Sequence, residues 1–238
     1  MFQRIFLSAL VAGILAGLLL TALQAVTTTP LILAAETYEQ APPAHQHAAG
    51  TVAHEHEAAE WAPADGLERT FYTGLANALT GVAFALLLLA AFALSGRTVD
   101  GRRGVVWGLA GYAVFALAPG LGLPPELPGS MAADLGARQL WWLGTAGATG
   151  LGLWLLVFPR ALWCKGLGIL ALALPHLIGA PHPEAYGGPV PPEMAGHFAA
   201  ASLATMAVFW AALGWLAGTL FARGADRERA ADLAHRTA

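Results

Sequence analysis

The chain is short of charge. Asp, Glu, Lys and Arg make up 11% of its 238 residues, where a soluble domain carries about 25%. Cysteine is nearly absent: Cys164 stands alone, which excludes an internal disulfide and any zinc site built on several thiolates. No Walker A spacing occurs, so the chain brings no nucleotide-phosphate loop of its own. Its net charge is only −3 and its basic residues are scattered, which argues against nucleic acid as a partner.

What fills the chain instead is apolar. Hydrophobic residues make up 57%, the mean hydropathy is +0.58, and the apolar runs repeat at about the 20-residue length that crosses a bilayer. The pattern predicts an all-α integral membrane protein with six transmembrane helices, or five if the shortest fails to insert. The expected spans are 5–26, 71–94, 105–121, 139–158, 161–180 and 197–221, the third being the shortest. The start of the chain resembles a signal peptide, with Leu33-Ala34-Ala35 as a small-residue cleavage site. Its apolar run is longer than a signal core, however, and holds Gly13-xxx-Gly17, so it reads as a span. In domain terms, 1–26 is the first helix and 27–69 an external loop. A five-helix membrane bundle follows over 70–222, then a basic cytoplasmic tail over 223–238.

Arginine and lysine fix the expected orientation. With six spans and a cytoplasmic N-terminus, the inner segments hold Arg4, Arg97, Arg102, Arg103, Arg160, Lys165, Arg223, Arg227, Arg229 and Arg236, whereas the outer ones hold only Arg69 and Arg138. This is the bias expected when basic residues stay on the cytoplasmic side. Trp61, Phe71, Tyr72, Trp141 and Trp142 are placed to serve as an outer aromatic belt, with Trp107 and Trp163 near inner edges. Gly104-xxx-Gly108, Gly214-xxx-Gly218 and the series Gly144, Gly147, Gly150 are read as close-packing faces. Pro124-Pro125-Glu126-Leu127-Pro128-Gly129 and Pro191-Pro192-Glu193-Met194-Ala195-Gly196 repeat one pattern in two outer loops, as a duplicated helical hairpin would.

With that topology, His45, His47, His54, His56, His176, His182 and His197 lie outside or at outer helix ends, and only His235 lies inside. The stretch 41–60 carries two His-x-His pairs, His45/His47 and His54/His56, with Glu55, Glu57 and Glu60. In an extended chain such a pair points both rings to one side. Imidazole suits zinc, copper, nickel and similar divalent ions, with carboxylates completing the shell. This stretch has little apolar content and is expected to be flexible until metal binds. The second cluster is His176 and His182 after Pro175, with Glu193 and His197 at the start of the last span. Pro175 is expected to bend or open its helix, and Gln24 and Asn77 to line the same outward vestibule. Asp134 and Arg138, four residues apart, are expected to pair on one helix face. No span holds Asp, Glu, Lys or Arg in its interior, so an ion could pass only through neutral ligands such as His176 and Asn77 or groups lent by a partner.

Three local motifs carry a family resemblance across essentially the whole chain. They are Gly101-Arg102-Arg103-Gly104-Val105-Val106-Trp107-Gly108, Asp134-Leu135-Gly136-Ala137-Arg138-Gln139-Leu140-Trp141-Trp142, and Pro175-His176-Leu177-Ile178-Gly179-Ala180-Pro181. With the basic first span and the His-rich loop, they make the chain resemble the CbtA family of cobalt transporter subunits. The resemblance implies cobalt uptake in support of cobalamin synthesis across a bacterial inner membrane. It also implies a small single-span, His-rich partner of the CbtB type, and it admits five spans. No prosthetic group is expected; the metal, whether cobalt, nickel or zinc, is cargo. A homo-oligomer is left open. Two alternatives stand beside transport: an integral-membrane zinc hydrolase using His176, His182 and His197, and a metal-binding or assembly module that does not itself transport.

Overall fold

Glycine decides how the helices meet. A computed structural model describes residues 2–39, 63–185 and 187–237, and every regular element among them is helical. In chain order these are α1 (Phe2–Val26), α2 (Thr29–Glu39), α3 (Leu67–Ser95), α4 (Gly101–Tyr112) and a π-helical turn (Ala113–Leu117). They continue with α5 (Ala118–Gly122), α6 (Leu135–Val157), α7 (Leu162–Ile178) and α8 (Pro192–Thr237). On α1, Gly13 lies against the backbone of Gly81 and Val82, and Gly17 against Asn77 and Ala78 of α3. The two remaining Gly-xxx-Gly pairs find each other: Gly104 and Gly108 of α4 interleave with Gly214 and Gly218 of α8. A Cβ at any of these positions would overlap backbone, so contact is made main chain to main chain, the mode open to helices that gain no hydrophobic drive from lipid.

Around these seams packs a core of small and aromatic side chains. Ala9, Ala12 and Ala16 of α1, Leu89 and Phe92 of α3, and Phe209, Trp210 and Leu213 of α8 are buried in one cluster. The Trp210 ring stacks on Phe115 of the π turn at 5.7 Å and tilts against Phe84 at 4.7 Å. The Gly144, Gly147, Gly150 series does not join a seam, because a Cβ at any of the three meets nothing within 4 Å. The expectation of a close-packing face there is corrected. Gly152, two residues on, is the glycine of α6 that meets another helix, against Gly168 of α7.

Among the described residues, five helices are long and apolar enough to cross a membrane: Phe2–Val26, Leu67–Ser95, Gly101–Gly122, Leu135–Val157 and Pro192–Asp226. The third span, expected to be the shortest, is corrected to 22 residues. It begins four residues earlier than read, because Asp100 accepts the Arg103 N–H at 2.8 Å and so caps a first turn that contains two arginines. Buried Pro119 cannot donate to Phe115, and the wide π turn just before it absorbs that lost bond. The short apolar helix is instead α7, with 17 residues.

Two further departures concern the ends of the loops. The stretch 27–69 does not begin as a loop: 29–39 is helix α2, whose Ala35 is buried against Leu127 and Phe198. Arg69 at the start of α3 holds it through a 2.9 Å ion pair to Glu36. The last helix is continuous through 46 residues and carries the tail at 223–238 as far as Thr237. The two Pro-Pro-Glu motifs take different backbones, the first lying between helices and the second starting α8. Their Leu127 and Met194 nevertheless pack into one cluster.

These contacts give the bundle two chemically distinct ends. Arg4 lies over Phe221 at 4.3 Å and Arg97 over Phe158 at 4.8 Å, gathering the basic loops at one end. The opposite end holds the α2 cluster, the Glu36–Arg69 and Glu126–Arg138 ion pairs, and His176.

Candidate functional site

The sequence-derived site divides in three. His45, His47, His54 and His56 lie outside the described residues. His176, His182, Glu193 and His197 are described, and all four are exposed. Gln24 and Asn77 sit between helices. Among the described residues, no three His, Cys, Asp or Glu side chains come together as a metal-holding group, so the three-histidine set of the hydrolase alternative is not preassembled.

His176 is in the last turn of α7, its ring edge-to-face with Trp141 at a centroid distance of 6.0 Å. Pro175 does not open the helix as expected. The helix runs through it to Ile178 and stops where Gly179, at φ +88°, returns its N–H to the Pro175 carbonyl at 3.1 Å. A proline so near the C-terminus removes only one bond, and the positive φ that ends the helix is one glycine adopts without strain. His182 lies in the loop beyond, with Nδ1 3.4 Å from the Pro183 carbonyl. Glu193 occupies the first turn of α8 and His197 lies four residues on, on the same helix face.

Asn77 Nδ2 donates to Gln24 Oε1 at 2.7 Å and to Thr21 Oγ1 at 3.0 Å. This network ties α1 to α3 beside the Gly17 contact, as amide and hydroxyl groups do between membrane helices. The Asp134–Arg138 pair is corrected. Asp134 accepts the Ala137 N–H at 2.8 Å and caps α6, whereas Arg138 reaches across the loop to Glu126 at 2.9 Å. An N-cap carboxylate points into its own first turn, which leaves the arginine to a different acid. Trp141 and Trp142 also turn inward, Trp141 against Gly122 and His176, Trp142 against Phe115.

Sequence reading passed over the seam between α6 and α7. Thr145, Thr149, Gly152 and Leu156 form one stripe of α6 by helical spacing, and Gly152 and Leu156 meet Gly168 of α7. Thr145 is 0% exposed and Thr149 3%, yet neither hydroxyl has a hydrogen-bond partner among the described residues. Counting back antiparallel from the Gly152–Gly168 contact sets Thr145 level with buried Pro175 and Thr149 level with Ala171. Ala171 is the residue whose carbonyl Pro175 cannot bond. By this count the two buried hydroxyls lie along the half of the seam nearer His176, with the Ala171 carbonyl, which lacks its usual helical donor, level with Thr149. His176 stands at one end. At the other, Lys165 Nζ donates to the carbonyls of Leu156 (2.5 Å) and Pro159 (2.6 Å) and closes the C-terminus of α6. The available signal was two threonines four residues apart in an otherwise apolar span.

No curated protein and no solved structure matches the chain. A family model, described as probable cobalt transporter subunit, matches residues 2–222, from the first helix through the membrane part of α8. A multi-pass helical chain with His176 at one end of its bundle and Arg4 and Arg97 at the other belongs, on that match, to the CbtA family.

Proposed function

We propose that the chain is the membrane subunit of a divalent-metal uptake system, with cobalt as cargo. It captures metal on His45, His47, His54 and His56 and passes it to an outer vestibule formed by His176, His182, Glu193 and His197. The observation that carries this reading is the position of His176, exposed at the mouth of a seam whose buried interior offers neutral oxygen donors. A divalent ion leaving water needs ligands at every step. Neutral imidazole serves at the mouth, and hydroxyl and carbonyl oxygens can replace hydration deeper in.

The histidines of 41–60 act as an antenna that raises local metal concentration, and Glu193 adds negative charge beside His197. Gln24 and Asn77 line the neighbouring α1–α3 wall. The seam holds no acidic group, so it binds weakly and releases readily, as conduction requires. A small single-span, His-rich subunit of the CbtB type completes the system in the bacterial inner membrane and supplies the donors this chain lacks.

Radioactive cobalt uptake into cells expressing the chain with its single-span partner tests this. His176→Ala is expected to lower uptake by about tenfold or more, the scale on which disturbed metal shells lose function. Deleting 41–60 is expected to weaken uptake at low metal only. Uptake unchanged by His176→Ala would point to a metal-binding module instead, and uptake of no metal under any condition would sink the transport reading.

A further inference from the structure

The arginine-bearing ends of α3, α4 and α6 stand apart. Between them lies an apolar cleft of about 1110 Å³, walled along its length by Leu87, Val106, Leu153 and Val157. Its mouth is not apolar: Arg97, Thr98 and Arg103 line it. Arg103 Nη1 donates to the Thr98 carbonyl at 2.6 Å and to Thr98 Oγ1 at 2.9 Å, which holds the guanidinium at the rim. Arg97 lies over the Phe158 ring at 4.8 Å and has no carboxylate partner among the described residues. Asp100, three residues before Arg103, accepts the Arg103 backbone N–H and so caps α4.

We propose that this cleft is a binding site for an anionic phospholipid of the inner leaflet, with acyl chain in the cleft and phosphate between Arg97 and Arg103. Charge complementarity selects this occupant. Guanidinium groups in forked geometry match phosphate oxygens, and basic pockets between membrane helices on the cytoplasmic side recognise anionic headgroups. The basic residues before α6 put this mouth on the inner side whether or not α7 crosses the membrane: Arg4, Arg97, Arg102 and Arg103 fall on its side and only Arg69 on the other, with just α1 and α3 between the N-terminus and the mouth. Size agrees. The volume is slightly above the roughly 300–1,000 Å³ range of small-ligand sites, which suits a long acyl chain. Gly150 of α6 leaves room on one wall, as a Cβ there meets nothing within 4 Å.

Native mass spectrometry of the full chain in detergent, titrated with dioleoylphosphatidylglycerol or dioleoylphosphatidylcholine, tests the site. The anionic lipid is expected to bind tightly and the zwitterionic one weakly. Arg97→Gln should weaken the anionic lipid by about fivefold, and Arg97→Gln with Arg103→Gln by on the order of 25-fold, with the phosphatidylcholine adduct unmoved. Gly150→Phe fills the cleft without touching the charges and should weaken both lipids. Equal binding of the two lipids would overturn the proposal. So would inorganic phosphate binding that is lost with the arginines but indifferent to Gly150→Phe. A dimer or a partner helix occupying the cleft, with no lipid retained, would overturn it equally.

Discussion

Glycines 104 and 214 are each other's ceiling: the position a Cβ would take on either is filled by backbone of the other's helix. Gly104→Leu or Gly214→Leu must therefore part α4 from α8, and each is expected to destabilise the chain by about 3 kcal/mol or more, at or beyond the usual cost of overpacking. Gly147→Ala meets open space and is expected to stabilise by about 0.5–1 kcal/mol through helix propensity. Thermal unfolding in detergent compares the three, and a Gly104→Leu variant melting with the parent would refute the seam. The Gly-xxx-Gly spacings of α1, α4 and α8 were legible in sequence as packing faces, but so was the glycine series of α6, which faces none. Composition marks a small face without saying what covers it. A pH prediction also belongs here. Asp100 has its carboxyl held below the ordinary 3.8, chiefly because it accepts the Arg103 N–H, with the nearby guanidinium adding to this. A lowered folded-state value means that its stabilising contribution is present at neutral pH and is lost as pH falls through that value. Between pH 6 and pH 3 the parent should lose melting temperature that Asp100→Asn, already neutral, does not lose.

Helix α2 shows what an element gains from partners that sequence reading cannot see. Its 11 residues are too few to be stable alone, and no turn of it is apolar enough to read as a span. Pro30 suits its first turn, Ala35 is buried against Leu127 of a distant loop and Phe198 of α8, and Glu36 pairs with Arg69. Both Glu36 and Arg69 are about a quarter exposed, so the pair contributes within the modest range of about 0.2–1 kcal/mol. Arg69→Ala is expected to speed amide hydrogen exchange over 29–39 by about two- to fivefold while leaving α1 unchanged. Equal protection in both proteins would show that the hydrophobic cluster alone holds α2. The same limit explains the aromatic end of α6. Tryptophans at a span's edge read as a lipid belt, and only the approach of Gly122, Phe115 and His176 turns Trp141 and Trp142 inward. The α6–α7 seam escaped notice for the same reason, because Thr145 and Thr149 become unusual only when burial removes their water.

At the scale of the whole molecule, the open question is whether α7 crosses the membrane. Its 17 residues span about 25 Å, short of the roughly 30 Å hydrocarbon core. Its contacts, however, cover nearly the full depth of its neighbour. Lys165 reaches the carbonyls that end α6, and His176 packs on Trp141 near the start of α6. A helix that matches a spanning partner from end to end shares its depth, and the remaining mismatch costs only fractions of a kcal/mol per Å in local thinning. Charge supports the same answer. If α7 did not cross, Arg223, Arg227, Arg229 and Arg236 would join Arg69 and Arg138 outside. That would leave Arg4, Arg97, Arg102, Arg103, Arg160 and Lys165 inside and erase the bias altogether. Single cysteines in a Cys164→Ala background decide it, read with a membrane-impermeant maleimide on intact cells. Glu184→Cys is expected to label from outside and Ala225→Cys only after permeabilisation. The reverse result would leave five crossings and move His176 and His182 to the inner face. Metal captured outside would then have no histidine at the α6–α7 seam to receive it, and the route proposed for it would fail with the topology.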